Sequence, residues 1–242
     1  MLITVLTWNL ERQRPGAWRA DAMLERVARA HPAVACFTEA HAGFTAPISG
    51  HELAIPGAAW SERKPTERLV MLWSREPWSE VDLIGNDDTR TGAYIAAATT
   101  TPLGPVRVVG LCAPHHMAAP IGVTPRPKMW TEQLIFWRGL KAMVAALPRT
   151  LPLVIMGDFN TYFPRVWGSK AAHAAALDAL HDLQLVTTGL IPDVEAPAID
   201  HLALSSGLTC ERIRGLSRFS EDERALSDHF GISAQLRAPA KE

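Results

Sequence analysis

Cysteine is scarce in this chain: Cys36, Cys112 and Cys210 are odd in number and far apart, which excludes both a disulfide framework and a zinc knuckle. Cys36 and Cys112 sit in strand-like apolar runs and read as buried thiols. An excess of either charge is also missing. Lys+Arg 24 against Asp+Glu 25 leaves a net charge of −1, so no global basic field draws in nucleic acid or an anionic membrane, and any polyanion must be held by a local patch. No run approaches the roughly 20 apolar residues that span a bilayer, and no basic segment precedes an apolar stretch at the N-terminus. The expectation is an intracellular, cytoplasmic protein with no membrane span and no obligate protein partner. Linkers, low-complexity tracts and internal repeats are absent as well, so residues 1–242 read as one domain. With 48% hydrophobic and 20% charged residues, the composition is that of an ordinary globular protein.

What is present is organised around Leu151-Pro-Leu-Val-Ile-Met-Gly-Asp-Phe-Asn160. A short apolar run rich in Val, Ile and Leu reads as a strand buried on both faces, because such a strand has no solvent side to supply alternation. Gly157 then allows a sharp turn, and Asp158 and Asn160 follow at the strand's carboxyl end, where α/β proteins keep their chemistry. Two apart in extended backbone, their side chains leave on the same side. Taken alone, Asp-Phe-Asn is equally well explained as turn chemistry.

From the start of the chain, Leu2–Trp8 is a β-branched strand ending at Asn9, Ala17–Ala30 a helix, and Ala33–Thr38 a second buried strand ending at Glu39. Together they form a βαβ unit with parallel neighbouring strands, so Asn9 and Glu39 emerge at the same sheet end. Short strands at His51–Ile55, Arg68–Ser74, Ser79–Ile84, Ala93–Thr100 and Val106–Cys112 suggest an antiparallel meander. The spacing predicts a long helix over Arg126–Leu147, and after the organising strand a second, Ala-rich helix capped by Gly168-Ser169 and running to about Leu183. Ala198–Leu204, Thr209–Leu216 and Phe230–Leu236 close the chain as strands. Two similar halves imply two packed sheets with helices outside.

Polar residues collect at the strand ends: Asn9, Glu39, Asp158, Asn160, Asp200 and Asp228-His229. Each has a plain alternative, Asn9 as a turn residue, Glu39 as a solvated charge, Asp200-His201 as a strand edge. Their joint occurrence at separate strand ends is harder to explain that way. In Thr7-Trp-Asn9, Phe37-Thr-Glu39, Gly157-Asp-Phe-Asn160, Ile199-Asp200 and Ser227-Asp-His229 the chain resembles the endonuclease/exonuclease/phosphatase superfamily, in family order and from end to end. Gly-Asp-Phe-Asn and Ser-Asp-His are specific in combination; the other motifs are weak alone.

The resemblance implies an α/β fold, a four-layer α/β/β/α sandwich of two packed mixed sheets, with a metal-dependent phosphoesterase site where the sheets meet. It implies Glu39, Asn9 and Asp228 as ligands of Mg²⁺ or Mn²⁺, whose preference is for hard oxygen donors. It casts Asp158 as the group that orients and deprotonates water, Asn160 as a phosphate hydrogen-bonder, and His229, steered by Asp200, as a phosphoryl-oxygen donor or acid–base group. One position departs: the family's histidine or tyrosine after the strand Val106–Cys112 is here Cys112, with His115 and His116 slightly further on. Thr66-Glu67-Arg68 resembles the segment whose glutamate orients that histidine, so Glu67 is expected to pair with His115 or His116. Two loop histidines beside a proline also need no function.

His31, His41, His51, His173 and His181 show no ligand spacing and read as structural or exposed. Arg126 and Lys128, with Trp130 close by, could contact a phosphate backbone or stack a base, or merely start a helix. Arg212, Arg214 and Arg218 form the best basic cluster, though alternating Arg on a strand is usually a solvated face. The leading reading is a phosphodiesterase acting on DNA or RNA. Beside it stand hydrolysis of a small phosphorylated metabolite or lipid headgroup, a dinuclear zinc hydrolase using His115, His116, His201 and His229, and a non-catalytic scaffold of the same fold.

Overall fold

A computed structural model describes residues 1–55, 65–89, 93–119 and 124–239. The chain begins with β1 (Ile3–Asn9), α1 (Trp18–Ala30) and β2 (Val34–His41), followed by β3 (His51–Ala54), β4 (Glu67–Ser74), β5 (Trp78–Asp82), β6 (Tyr94–Thr101) and β7 (Gly104–Cys112). It continues through α2 (Thr131–Ala146), β8 (Leu153–Asp158) and α3 (Lys170–Ala179). The short pieces β9 (Gln184–Leu185), β10 (Leu190–Ile191) and β11 (Ala196–Pro197) precede β12 (Asp200–Leu204), β13 (Thr209–Leu216) and β14 (Gly231–Arg237). One six-stranded sheet has the order β13-β14-β1-β2-β4-β3 and the other β5-β6-β7-β8-β12-β9.

The expected parallel β1–β2 unit is present, with Asn9 opposite Thr38. The expected single meander is not: β3 and β4 pair antiparallel beside β2, whereas β5, β6 and β7 open the second sheet. β4 is apolar on both faces and is taken up against β2. At Arg75-Glu76-Pro77 the chain then crosses between sheets, and there the Thr99 hydroxyl donates to the carbonyls of Glu76 and Pro77, each at 3.1 Å. The helix expected from Arg126 starts only at Thr131, because Pro125 and Pro127 hold the residues before them extended and Trp130 takes a left-handed φ of 73°. α3 starts as expected, with Ser169 Oγ accepting from Ala172 N, but stops at Ala179.

Three apolar layers hold the sandwich together. Between the sheets lie Val5, Val34, Cys36 and Leu72 from one side against Ile95, Val108, Val154, Met156 and Leu202 from the other. Gly110 belongs here: a Cβ on it would sit 2.6 Å from Leu72 and 2.9 Å from Val70. Met23, Leu24 and Val27 of α1 cover the outer face of the first sheet on Leu6, Trp8 and Phe37. Phe136, Trp137 and Leu140 of α2 and Ala176 of α3 cover the second on Val109, Ile155 and Phe159. Each large apolar side chain so enclosed contributes about 1.5–3 kcal/mol.

Strand direction decides where the site forms. β1, β2, β7 and β8 run the same way within their sheets, so their carboxyl ends gather at one edge, while β12 and β14 are antiparallel to β8 and β1 and begin there. Asp200 thus lies opposite Asp158, and Cys112 beside it.

Candidate active site

Gly157 makes the central turn possible. Its φ is +141°, and a Cβ would fall 1.9 Å from the Leu111 carbonyl oxygen on β7, so no side chain fits there. The chain leaves β8 with Asp158 almost wholly buried and both its oxygens engaged: Oδ1 accepts from Asn160 N at 2.9 Å and Oδ2 from Asn9 Nδ2 at 3.1 Å. Burial first, then the negative Asp200, pushes the Asp158 carboxyl up to about 7. Asn160 is left-handed at φ 48°, held by Gln133 Nε2 donating to its carbonyl (2.9 Å) and by its own Nδ2 donating to the Ala113 carbonyl (2.8 Å).

Asp200, at the start of β12, faces His229, whose Nδ1 donates to Asp200 Oδ2 at 2.5 Å. Burial alone would lower the imidazole, but the charge and hydrogen bond of Asp200, with Asp158 and Asp228 behind it, raise it to about 10. His229 is therefore an imidazolium at neutral pH, with Nδ1 committed and Nε2–H left as a donor. Its loop is pinned by Trp8 Nε1 donating to the His229 carbonyl (3.0 Å), and by Ser227 Oγ, which donates to the Asn9 carbonyl (2.8 Å) and accepts from His229 N (3.2 Å).

On the first sheet Glu39 is left-handed at φ 46° and forms an ion pair with Arg12 at 2.8 Å. Burial raises its pKa against the opposing pull of Arg12. Asn9 joins the halves. Its Oδ1 accepts from Glu11 N at 2.9 Å, which orients Nδ2 towards Asp158. In this orientation Asn9 meets the site mainly as a donor, where an oxygen ligand was expected. Asp228 is 65% exposed along its side chain, with Oδ1 4.0 Å from His229 Nε2.

The expected Glu67–histidine pair takes a different form. The antiparallel register of β2 and β4 puts Glu67 opposite His41, and Oε1 lies 3.9 Å from His41 Nε2. His41 in turn donates from Nε2 to the Arg12 carbonyl (3.1 Å), with Nδ1 bonded to Thr66 Oγ1 (2.9 Å). Glu67 thus supports the segment that carries Arg12. His115 accepts Met117 N at Nδ1 and packs on His116; its pKa is lowered, first by burial and then by His116 and Arg12. Cys112 faces the core, its thiol pushed well above the usual range by burial and then by Asp158.

His201, a member of the zinc-hydrolase set, is a core residue. Both its nitrogens are bonded, to Thr187 and Thr161, and burial lowers its pKa to about 4. Arg12, Gln133 and the bridging role of Ser227 were not anticipated. Only Ser227, inside a motif, carried a signal in the sequence.

The donor set fits a hard divalent cation. Asp158, Asp200 and His229 bring their polar atoms within 4.8 Å of one another, and Asp200 Oδ1 is buried with no hydrogen-bond partner among the described residues, so with His229 protonated the donors open to an ion are carboxylate oxygens. Glu39 and Asp228 add two more carboxylates, and the charge of Asp228 adds to the upward push on Glu39. Such concentrated oxygen charge suits Mg²⁺ or Mn²⁺. Beside His229 opens a cavity of about 560 Å³ whose lining includes Tyr162, Val194, Asp200, Arg218 and Phe219.

The family model described as the Endonuclease/Exonuclease/phosphatase family matches residues 6–229. No curated protein sequence matches significantly. Among solved structures, D. rerio TDP2 complexed with a single-strand DNA product superposes with a TM-score of 0.70 at 14% identity, covering 98% of this chain and 99% of that one. The human Nocturnin catalytic domain with bound sulfate gives 0.69 at 15% identity, covering 98% and 94%. Sphingomyelinase C from Streptomyces griseocarneus gives 0.60 at 16%, covering 97% and 99%. At these identities the likeness is one of fold.

Proposed function

Since the chain belongs to the endonuclease/exonuclease/phosphatase family, whose members are metal-dependent phosphoric ester hydrolases, we propose that it hydrolyses phosphodiester bonds of nucleic acid with Mg²⁺ or Mn²⁺. The observation that carries this reading is the opposition of a held carboxylate, Asp158, to an imidazolium, the His229–Asp200 pair. Asp158 orients the attacking water and takes its proton, a task for which a pKa near neutrality is suited. His229 Nε2–H donates to a phosphoryl oxygen as charge builds there. Asn160 has one amide hydrogen fixed on Ala113 and offers the other to the phosphate. Glu39 and Asp228 would hold the cation, whose chemistry would be to neutralise charge on the phosphoryl and leaving oxygens, while Asn9 keeps its amide on Asp158.

A second reading has its own support. The cavity beside His229, walled by Tyr162, Val194 and Phe219 with Arg218 at its side, suits a small ester better than a long strand. The test is cleavage of plasmid, single-stranded and abasic-site DNA with Mg²⁺ or Mn²⁺, run beside phosphomonoesters and small diesters. Nicking of nucleic acid is the expected result. Turnover of a small ester with no cleavage of any nucleic acid would transfer the assignment to the second reading.

A further inference from the structure

The loops that follow β7 and β8 lie in a part of the chain poor in acid, since between Asp88 and Asp178 only Glu132 and Asp158 are acidic. Residues 113–131 and 159–177 contain no Asp or Glu, yet they carry Arg126, Lys128, Arg165 and Lys170 in a protein of net charge −1. All of these cations are exposed, and among the described residues none makes an ion pair, whereas Lys141, Arg29 and Arg237 elsewhere each hold a carboxylate. Two residues after Lys128 and two after Arg165 the chain places Trp130 and Trp167, which form an aromatic cluster. Trp130 and Trp167 pack at 5.3 Å between ring centroids, with His116 at 5.4 and 5.1 Å from them. The cluster is built in place: Trp130 N donates to the His116 carbonyl at 2.8 Å, and a Cβ on Gly168 would meet the Trp130 ring at 2.9 Å. Trp167 nevertheless stays 59% exposed, beside Met129 at 62%. Asn160 Nδ2 donating to the Ala113 carbonyl ties the two loops together at the catalytic strand ends.

We propose that this surface binds single-stranded nucleic acid, with Trp167 and Trp130 stacking unpaired bases and Arg126, Lys128, Arg165 and Lys170 neutralising the phosphates on either side. A duplex buries its base faces in its own stack and offers an exposed indole nothing, whereas a single strand presents both features the surface matches. The surface thereby selects the substrate class of the adjoining centre, and in that respect it rests on the phosphodiesterase reading.

The experiment is fluorescence anisotropy of a labelled oligothymidylate with the full chain in EDTA, so that binding is read without cleavage. Trp167→Ala should weaken binding roughly tenfold, the scale of one base stacked on one ring, and Trp167→Phe should restore most of it. Arg165→Gln with Lys170→Gln should flatten the dependence of log affinity on log salt by about 0.7 for each phosphate no longer neutralised. Hydrolysis of bis-p-nitrophenyl phosphate with Mn²⁺ should be unchanged in all these variants, and that assay alone judges the phosphodiesterase reading. The proposal is overturned if the variants bind the oligonucleotide like wild type. It is equally overturned if the same substitutions abolish adsorption to phosphatidylglycerol vesicles while leaving oligonucleotide binding intact.

Discussion

Asp158 ends β8 and Glu39 lies towards the end of β2, both near Asn9, and burial raises the pKa of both, but they are restrained by different means. Asp158 receives amide donors on both oxygens and has no room to rotate. Glu39 is balanced chiefly by the guanidinium of Arg12, a long side chain 35% exposed, with weaker help from His229 and the Asn9 side chain. Fixed dipoles suit a group that must meet a proton in one geometry at every turnover, because they need no reorganisation. A single exchangeable cation suits a group that must release one partner to accept another. The second sheet therefore carries the preorganised half of the site, and the first sheet the half completed by a ligand.

The substitution that strikes this contrast hardest is Asp158→Asn, nearly isosteric but unable to take a proton. Turnover should fall by about 10²–10⁴ while the fold and Mn²⁺ binding persist, as steady-state kinetics and calorimetry would show. A loss under about tenfold would remove Asp158 from the base role. Glu39→Gln should instead lower metal affinity and activity together, by at least the roughly 10–100-fold typical of residues that merely support ligands. Unchanged Mn²⁺ titration would move the ion away from the first sheet.

The two halves should also separate by pH in the metal-free protein. His229 has its folded pKa raised from 6.5 to about 10, so the stability it adds is complete below pH 6.5 and disappears as pH rises through 10. Asp158 is raised from 3.8 to about 7 and opposes folding as pH climbs through that interval. Thermal melts from pH 4 to 10 should therefore fall across both windows, and His229→Asn should flatten the upper one while extending the lower one to higher pH, because its charge no longer lowers Asp158. A melting curve insensitive to that substitution would mean the His229–Asp200 pair is already formed in the unfolded reference. The smallest effect is expected at Arg12→Gln. Freeing Glu39 from a half-exposed ion pair worth about 0–1 kcal/mol should tighten Mn²⁺ binding by about fivefold at most. Weaker binding would show that Arg12 helps to shape the site.

The strand ends were legible because a strand buried on both faces has a continuous apolar signature, and a polar residue at its end stands out against it. Asn9, Glu39, Asp158 and Asp200 were found in this way, and the structure gathers them at one edge. Sheet membership was not legible: β4, β6 and β7 are all largely buried on both faces, and only pairing, of β4 with β2 and of β7 with β8, decides which sheet they join. The partner of Glu67 was missed for a related reason. Its proximity to His41 is fixed by the β2–β4 register, while the expected His115 lies on a loop of the other sheet. The Trp130–Trp167 contact joins residues on separate loops and has no local pattern to betray it.

The bond from Ser227 Oγ to the Asn9 carbonyl spans 218 positions of sequence and bears on the order of assembly. The second sheet is drawn from one continuous stretch, β5 to β12, and can form as soon as that stretch has left the ribosome. The first sheet cannot, since β1 must wait for β14, which follows every strand of the second. Long-range pairing of this kind is slow to nucleate, which makes closure of the first sheet the late step. Asn9 is made before the second sheet and His229 after it, so a nascent or truncated chain can hold Asp158 through Asn160 N but lacks the imidazolium opposite it. Hydrolytic competence would then arrive only once β14 has emerged, and a product cut short before Ser227 would be inactive.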